Sequence, residues 1–297
     1  MSTSVSPSTG KRYGVQRVCS MLGLPRSSFY TRRQERPVKR QSAGKRGPKP
    51  RWSDEDLRRL IEEDLAESPF TGEGHRKVWA RLKYGKGIRV GRKRVLRIMR
   101  EQNLLSPYRG SRGEPVKHEG TIVTQAPNEM WGTDGTKVFT LEEGYVWIFV
   151  AVEHWNAECV GWHVCKRGDR FAALEPIGQG VLEQFGKIEG DAARGLALRM
   201  DHGTQYLSDH FQKQVKHWGI RPSFAFIEQP ETNGVSERFF RTLKEQAVYG
   251  RTFRNVEELR QVVGEFIVRY NREWRVEKNG FLSPWDMRAL HIARKAA

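Results

Sequence analysis

The 297-residue chain is 37% hydrophobic, with nine Trp and fourteen Phe, which excludes a wholly disordered protein and allows one sizeable core plus smaller modules. Its formal charge of +17 lies entirely at one end: residues 1–120 hold 29 Lys/Arg against 12 Asp/Glu, and the rest hold 23 against 23. That asymmetry favours a polyanion contacted through the first part of the chain. The absence of an apolar signal core, a spanning run or a basic interfacial helix excludes a membrane partner and sets a cytoplasmic protein as the expectation.

In chain order, Val15, Val18, Cys19 and Leu22 recur at helical spacing until Gly23, and Pro25 opens a second helix to Arg33. This predicts a helix-turn-helix-like segment over residues 1–34. Its second helix, with Arg26, Phe29 and Tyr30, suits a DNA groove and a small bundle core equally. Residues 35–52 read as a basic linker with interspersed Pro and Gly.

A second helical module is predicted over 53–105. Ser53 and Asp56 resemble a capping box, Leu57, Leu60, Ile61 and Leu65 form one stripe, and Val78, Trp79 and Leu82 mark a middle helix. Val95, Ile98 and Met99 mark a third, opening near Gly91, with Arg92, Lys93, Arg94, Arg97 and Arg100 on its remaining surface. That pattern fits a DNA-contacting helix with Arg92, Arg94 and Arg97 as contacts; a hairpin with a solvated basic face is the alternative. Residues 106–124 lack periodicity and predict a linker. Cys19, Cys159 and Cys165 have no metal-ligand spacing and read as reduced packing residues.

Beyond the linker the period changes to that of strands. Runs at Met130–Phe139, Tyr145–Glu153 and Cys159–Lys166 predict a three-stranded meander. A helix follows with Phe171, Leu174, Ile177, Val181, Leu182 and Phe185 inward, then a strand at Leu196–Asp201, a helix at Ser208–Trp218, a strand at Ser223–Ile227 and a helix at about Asn233–Val248. The result is an α/β core over 125–250, a mixed five-stranded sheet with helices on both faces in ribonuclease H-like order, preceded by small all-α helix-turn-helix modules and followed by a helical extension over 251–297.

This order places three acids. Asp134 falls in the first strand, Asp201 at the carboxyl end of the fourth, and Glu237 on the last core helix, where Arg241 and Lys244 share its face. The 35 residues between Asp201 and Glu237 carry no weight alone in a chain with 35 acids. Converging carboxylates repel unless a cation neutralises them. Two hard divalent ions about 3.5–4 Å apart can activate the attacking oxygen and stabilise the leaving one at phosphorus.

The residues also carry a family resemblance. Asp134 with Asp201-His202-Gly203-Thr204-Gln205-Tyr206, and Asn233-Gly234-Val235-Ser236-Glu237 followed by Thr242-Leu243-Lys244, resemble the integrase core of DDE transposases from bacterial insertion sequences, most of all the IS-three type OrfB product related to retroviral integrases. Leu22–Tyr30, Gly74–Trp79, Tyr270-Asn271 and Gly280–Pro284 resemble its flanking segments, whereas Glu153, Trp274 and Val276 depart from the common Asp, Arg and His.

The resemblance implies cleavage by water at the element's ends and attack by the released 3′-hydroxyl on target DNA. Asp134, Asp201 and Glu237 would hold two Mg²⁺, with Mn²⁺ as a substitute, and Lys244 would grip the DNA. It further implies double-stranded DNA as partner, a homo-oligomer on that DNA, and an upstream helix-turn-helix and leucine-zipper product joined by frameshifting. A catalytically silent DNA-binding derivative and a hydrolytic ribonuclease H-like nuclease are the alternatives. His202 is a candidate for orienting water or phosphate, His75 and His210 read as structural, and Glu228–Asn233 is expected to be a mobile loop beside the site.

Overall fold

The computed structural model describes residues 4–33, 51–106, 122–224 and 234–296. Nearly all of the 35–52 linker, most of the 106–124 linker and the Glu228–Asn233 loop lie outside the described residues. The chain divides into two compact units, 1–53 and 54–297.

The first unit holds α1 (Val15–Met21) and α2 (Arg26–Arg33). Gly23, at φ +61°, turns the chain between them, and the N–H of Leu24 bonds the carbonyl of Cys19 at 2.9 Å. Of the predicted apolar stripe only Cys19 is buried, while Val15 and Val18 are half-buried and Leu22 is exposed. Two short helices have too little surface to cover a full stripe.

The second unit begins with α3 (Asp54–Glu67), α4 (His75–Ala80) running into a π turn at Arg81–Gly85, and α5 (Arg92–Glu101). Leu57, Ile61, Val78, Leu82, Val95, Ile98 and Met99 form its buried side, as their spacing predicts. Among them sits a charged knot. Arg81 donates to both oxygens of Asp64 and to Glu73, which also accepts from the Ser68 hydroxyl at 2.6 Å.

The sheet is built from β1 (Met130–Thr140), β2 (Gly144–Glu153), β3 (Cys159–Cys165), β4 (Ala197–Met200) and β5 (Arg221–Phe224), in the order β3-β2-β1-β4-β5. The first three pair antiparallel, and β4 and β5 add in parallel. Parallel addition requires crossovers, supplied by α6 (Arg170–Phe185) and by α7 (Thr204–Leu207) with α8 (Asp209–His217). α9 (Gly234–Leu243), a π turn at Lys244–Val248, α10 (Val256–Glu273), a short 3₁₀ turn at Glu277–Asn279 and α11 (Pro284–Ala296) complete the unit.

Alternation along the strands separates two hydrophobic clusters. Val138, Val146, Ile148, Val150 and Val152 pack under α9 and α10; Trp131, Phe149 and Ala151 pack under α6 and α8. The inner side of α6 differs from expectation: Phe171 and Leu182 are 51% and 53% exposed, and Ala172, Ala173, Gly178 and Gly180 are buried. Close approach is the reason. A Cβ on Gly161 of β3 would lie 1.8 Å from the carbonyl oxygen of Pro176 in α6, so the helix lies almost on the strand backbone.

The fifth strand begins at Arg221, two residues ahead of the expected Ser223, and the expected run beyond Phe224 lies outside the described residues; the short α7 is an addition to the expected elements. The segment expected as an extension contributes to the core: Leu259, Val263, Phe266, Ile267 and Tyr270 of α10 join the first cluster. The Asn271 amide bonds both the N–H and the carbonyl of Cys159, at 3.0 and 2.9 Å.

The helical module also packs on this core. Phe70, between α3 and α4, belongs to the same cluster and meets the Trp274 ring edge-on at 4.9 Å. The Gln246 side chain in the second π turn accepts from the N–H of Thr71 at 2.9 Å and donates to its carbonyl at 2.7 Å.

Candidate active site

Strand register explains how the three acids are arranged. Asp134 pairs with Val150, whose side chain belongs to the cluster under α9, so the Asp134 carboxyl faces that helix. β4 runs parallel to β1 with Met130 opposite Ala197 and Gly132 opposite Arg199. Continuing that register by two residues brings Asp201, the residue after β4, level with Asp134. Glu237 lies in the first turn of α9, and Lys244, two turns on, opens the π turn. Buried Phe239, Phe240 and Leu243 fix α9 on the sheet, which leaves Glu237 and Arg241 exposed and Lys244 half-buried.

Asp134 carries the electrostatic signature of the site. Burial, above all, pushes its carboxyl up to about 6. The negative charges of Asp201 and Glu237 act in the same direction, while the N–H of Gly135, at 2.7 Å, and the charge of Lys244 oppose them. Among the described residues the Gly135 N–H is the one hydrogen bond that Asp134 accepts. Asp201 accepts the N–H of Gly203 at 2.9 Å and is exposed. Beneath them lies fully buried Tyr206, whose hydroxyl is raised by burial and then by the charge of Asp134.

Among the described residues no three His, Cys, Asp or Glu side chains are drawn together closely enough to hold one ion. The helix bearing Glu237 directly follows residues 225–233, which lie outside the described residues.

Glu153, His202 and His210 each have partners of their own. Glu153 is buried at the end of β2, where it accepts the N–H groups of Asn128, Trp131 and Trp155 and faces Arg288 at 3.8 Å. The His202 ring stacks on Phe224 at 5.4 Å, and His210 packs against Phe171 at 4.7 Å. Phe224 packs against the second cluster, as expected of sheet core; Phe226 is outside the described residues.

Of the candidate DNA-contacting arginines, Arg26 is exposed. Arg94 and Arg97 each reach Asp54 at 2.6 Å, tying α5 to α3, and Arg97 also pairs with Glu101 at 3.0 Å. Arg92 faces Glu277 of the core at 3.6 Å. Such solvent-accessible pairs are worth less than about 1 kcal/mol.

Two residues on or near the helices beside the site make contacts that local pattern does not announce. Gln246 clasps Thr71, and Trp274 receives Phe70 on its edge and the Lys77 ammonium over its ring. A polar residue in a helix carries no periodic signal for the first, and the second registered only as a departure from a pattern.

With this geometry in view, the comparisons are specific. The integrase core domain family matches residues 124–230, a second integrase core domain family matches 218–275, and the HTH-like domain family matches 52–112. The chain thus carries an integrase core domain over its sheet and an HTH-like domain ahead of it.

Its homologues are insertion-sequence transposases. The transposase for insertion sequence element IS629 of Shigella sonnei is 24% identical over 95% of this chain and 94% of that protein. Transposase InsF for insertion sequence IS3A of Escherichia coli K12 is 26% identical over 95% and 96%. An uncharacterized transposase-like protein of Haemophilus influenzae is 29% identical over 69% and 96%. Among solved structures, the HTLV-2 integrase catalytic core domain in complex with magnesium aligns over 54% of this chain and 96% of that one, at 17% identity and a TM-score of 0.41. No helix among the described residues is long and apolar enough to cross a membrane.

Proposed function

We propose that the chain is a transposase that nicks DNA at the ends of an insertion sequence with water and then joins the released 3′-hydroxyl to a target phosphodiester. Asp134, Asp201 and Glu237 are the acids we assign to this chemistry, holding two Mg²⁺ ions for which Mn²⁺ substitutes. When bound, those ions polarise the phosphoryl oxygen and stabilise the attacking and leaving oxygens.

The donor set suits hard divalent cations, because it consists of carboxylate oxygens alone. Above about pH 6 Asp134 ionises beside two further negative charges, with Lys244 as the cation acting on it. Among the described residues Lys244 faces three acids there, so negative charge prevails where a phosphodiester would have to be activated. Lys244 fits the role of holding the scissile strand, since it reaches Asp134 electrostatically from the face that Glu237 shares. Glu237 would complete the set from the first turn of α9.

The observation that carries this reading is Asp134 itself, a half-buried acid aimed at α9, level with Asp201 and, among the described residues, left without a cationic hydrogen-bond partner. Asp134→Asn, Asp201→Asn and Glu237→Gln are each expected to abolish nicking and joining of an end-bearing duplex while retaining DNA affinity. Full strand transfer by any one of them overturns the assignment.

Residues 1–34 and 53–105 we assign to DNA recognition, through Arg26 and the α5 arginines, and 125–250 to catalysis. Because Phe70 is buried against the core, the informative truncation removes residues 1–53. It is expected to weaken end-specific footprinting and leave the core folded. A homo-oligomer on DNA, and fusion to an upstream helix-turn-helix and zipper product, complete the proposal; the mass of the complex on paired ends tests the first.

A further inference from the structure

Where α4 and α5 approach the C-terminal segment, one core carboxylate reaches two arginines of the helical module. Glu277 lies 2.6 Å from Arg76 through one oxygen and 3.6 Å from Arg92 through the other. All three side chains remain about half exposed, at 48% for Glu277, 57% for Arg76 and 49% for Arg92. His75 senses the same surroundings: its imidazole is held below its ordinary value by burial and by the charges of Arg76, Arg92 and Arg100, with Glu277 acting against them.

Two guanidinium groups, each on a separate oxygen of one anion, is the arrangement by which arginines hold a phosphate. We infer that Arg76 and Arg92 form a seat for a phosphate of the DNA backbone, and that Glu277 occupies this seat in the DNA-free chain.

The surroundings are built for exchange of one anion for the other. Arg92 lies over the Trp79 ring at 5.9 Å, and Trp79 is fixed by its bond to the Val90 carbonyl at 2.9 Å and by Phe281 at 5.7 Å. Phe281 holds that position at φ +67°, a strained conformation for a bulky residue. The backbone beneath Glu277 is pinned through Asn279, whose amide donates to the Asn156 carbonyl at 2.9 Å.

Docking of the module does not need Glu277, because Phe70 against Trp274 and Thr71 against Gln246 are separate contacts. A rotation of the Glu277 side chain therefore opens the seat without undocking anything. The net charge of the first 120 residues makes a polyanion the matching occupant. The inference rests on the proposal that this chain binds DNA. It adds that the core withholds part of that affinity.

The test is duplex affinity of the full chain across 50–200 mM KCl, by fluorescence anisotropy, with melting temperature as the control for folding. Glu277→Gln is expected to bind about 5–20-fold more tightly at the lowest salt, with a steeper salt dependence, since each phosphate contact adds about 0.9 to the slope. Arg76→Ala with Arg92→Ala is expected to bind more weakly, with a shallower slope. Unchanged or weaker binding by Glu277→Gln at wild-type melting temperature overturns the inference.

If that variant does not fold, Glu277→Asp serves instead, its carboxylate stopping one methylene short of the arginines. A gain of a few-fold supports the seat, and no gain refutes it. Wild-type protein that binds no duplex refutes the proposed function together with this inference. Wild-type binding that the Glu277 variants leave untouched refutes the inference alone.

Discussion

The helical module and the sheet each bury acidic side chains, and they treat them in opposite ways. Asp64 and Glu73 are both 3% exposed, and each meets Arg81, with Ser68 adding a further bond to Glu73. Asp134 is half-buried, and among the described residues it accepts the Gly135 N–H alone, beside two other acids and the more distant charge of Lys244. A buried charge that is paired and hydrogen-bonded is part of the architecture, and one left uncompensated marks a place reserved for something else. Glu153, caged by three N–H donors and Arg288, falls on the architectural side despite its strand-end position.

Removing an acid from the sheet and a cation from the helical module should have opposite consequences. The largest effect is expected for Asp201→Asn: a fall on the order of 10,000-fold in strand cleavage and joining, in single-turnover assays on an end-bearing duplex, with little change in stability. Arg81→Met should do the reverse. It strands two buried carboxylates and should cost about 3–5 kcal/mol in denaturant unfolding. A loss below about 1 kcal/mol would remove the distinction between the two regions.

Asp134→Asn tests the sign of the electrostatics. Because the folded carboxyl is raised to about 6 while the unfolded one keeps its ordinary value, the native state binds more protons in between, and stability falls as pH rises from about 4 through 6. Replacing the acid should therefore stabilise the metal-free protein by up to about 3 kcal/mol at pH 8 and by nothing near pH 3. Added Mg²⁺ should raise the melting temperature of the wild type at pH 8 and not that of this variant. Smallest is Gln246→Leu, which should cost about 1 kcal/mol through the two bonds to Thr71. Lowered cleavage at unchanged duplex affinity would show that the module braces the helix bearing Glu237 and Lys244.

Much of this arrangement was legible in the chain. Alternation of Val146, Ile148, Val150 and Val152 fixed β2, and the spacing of Phe239 and Leu243 fixed the buried side of α9 and hence the exposed side bearing Glu237. The α6 surface was misread because Phe171 and Leu182 are apolar but the close approach of Pro176 to Gly161 favours small residues inward. α7 has four residues, too few for any period to register. The ion pairs of Arg94 and Arg97 with Asp54 span about forty residues, and local pattern carries no trace of such partners.

The sequence by itself determined the strand and helix order, the level of Asp134 within β1, and the concentration of positive charge in the first 120 residues. These follow from local periodicity and composition, which each segment carries alone. Tertiary structure decided what no segment can encode: that Asp134 faces α9 and lies level with Asp201, that Arg81 pairs with Asp64 and Glu73 while Asp134 accepts no cationic hydrogen bond among the described residues, and that Phe70 and Gln246 bind the helical module to the core. Burial and charge compensation are properties of neighbours in space, and those neighbours are supplied by strand register and helix packing.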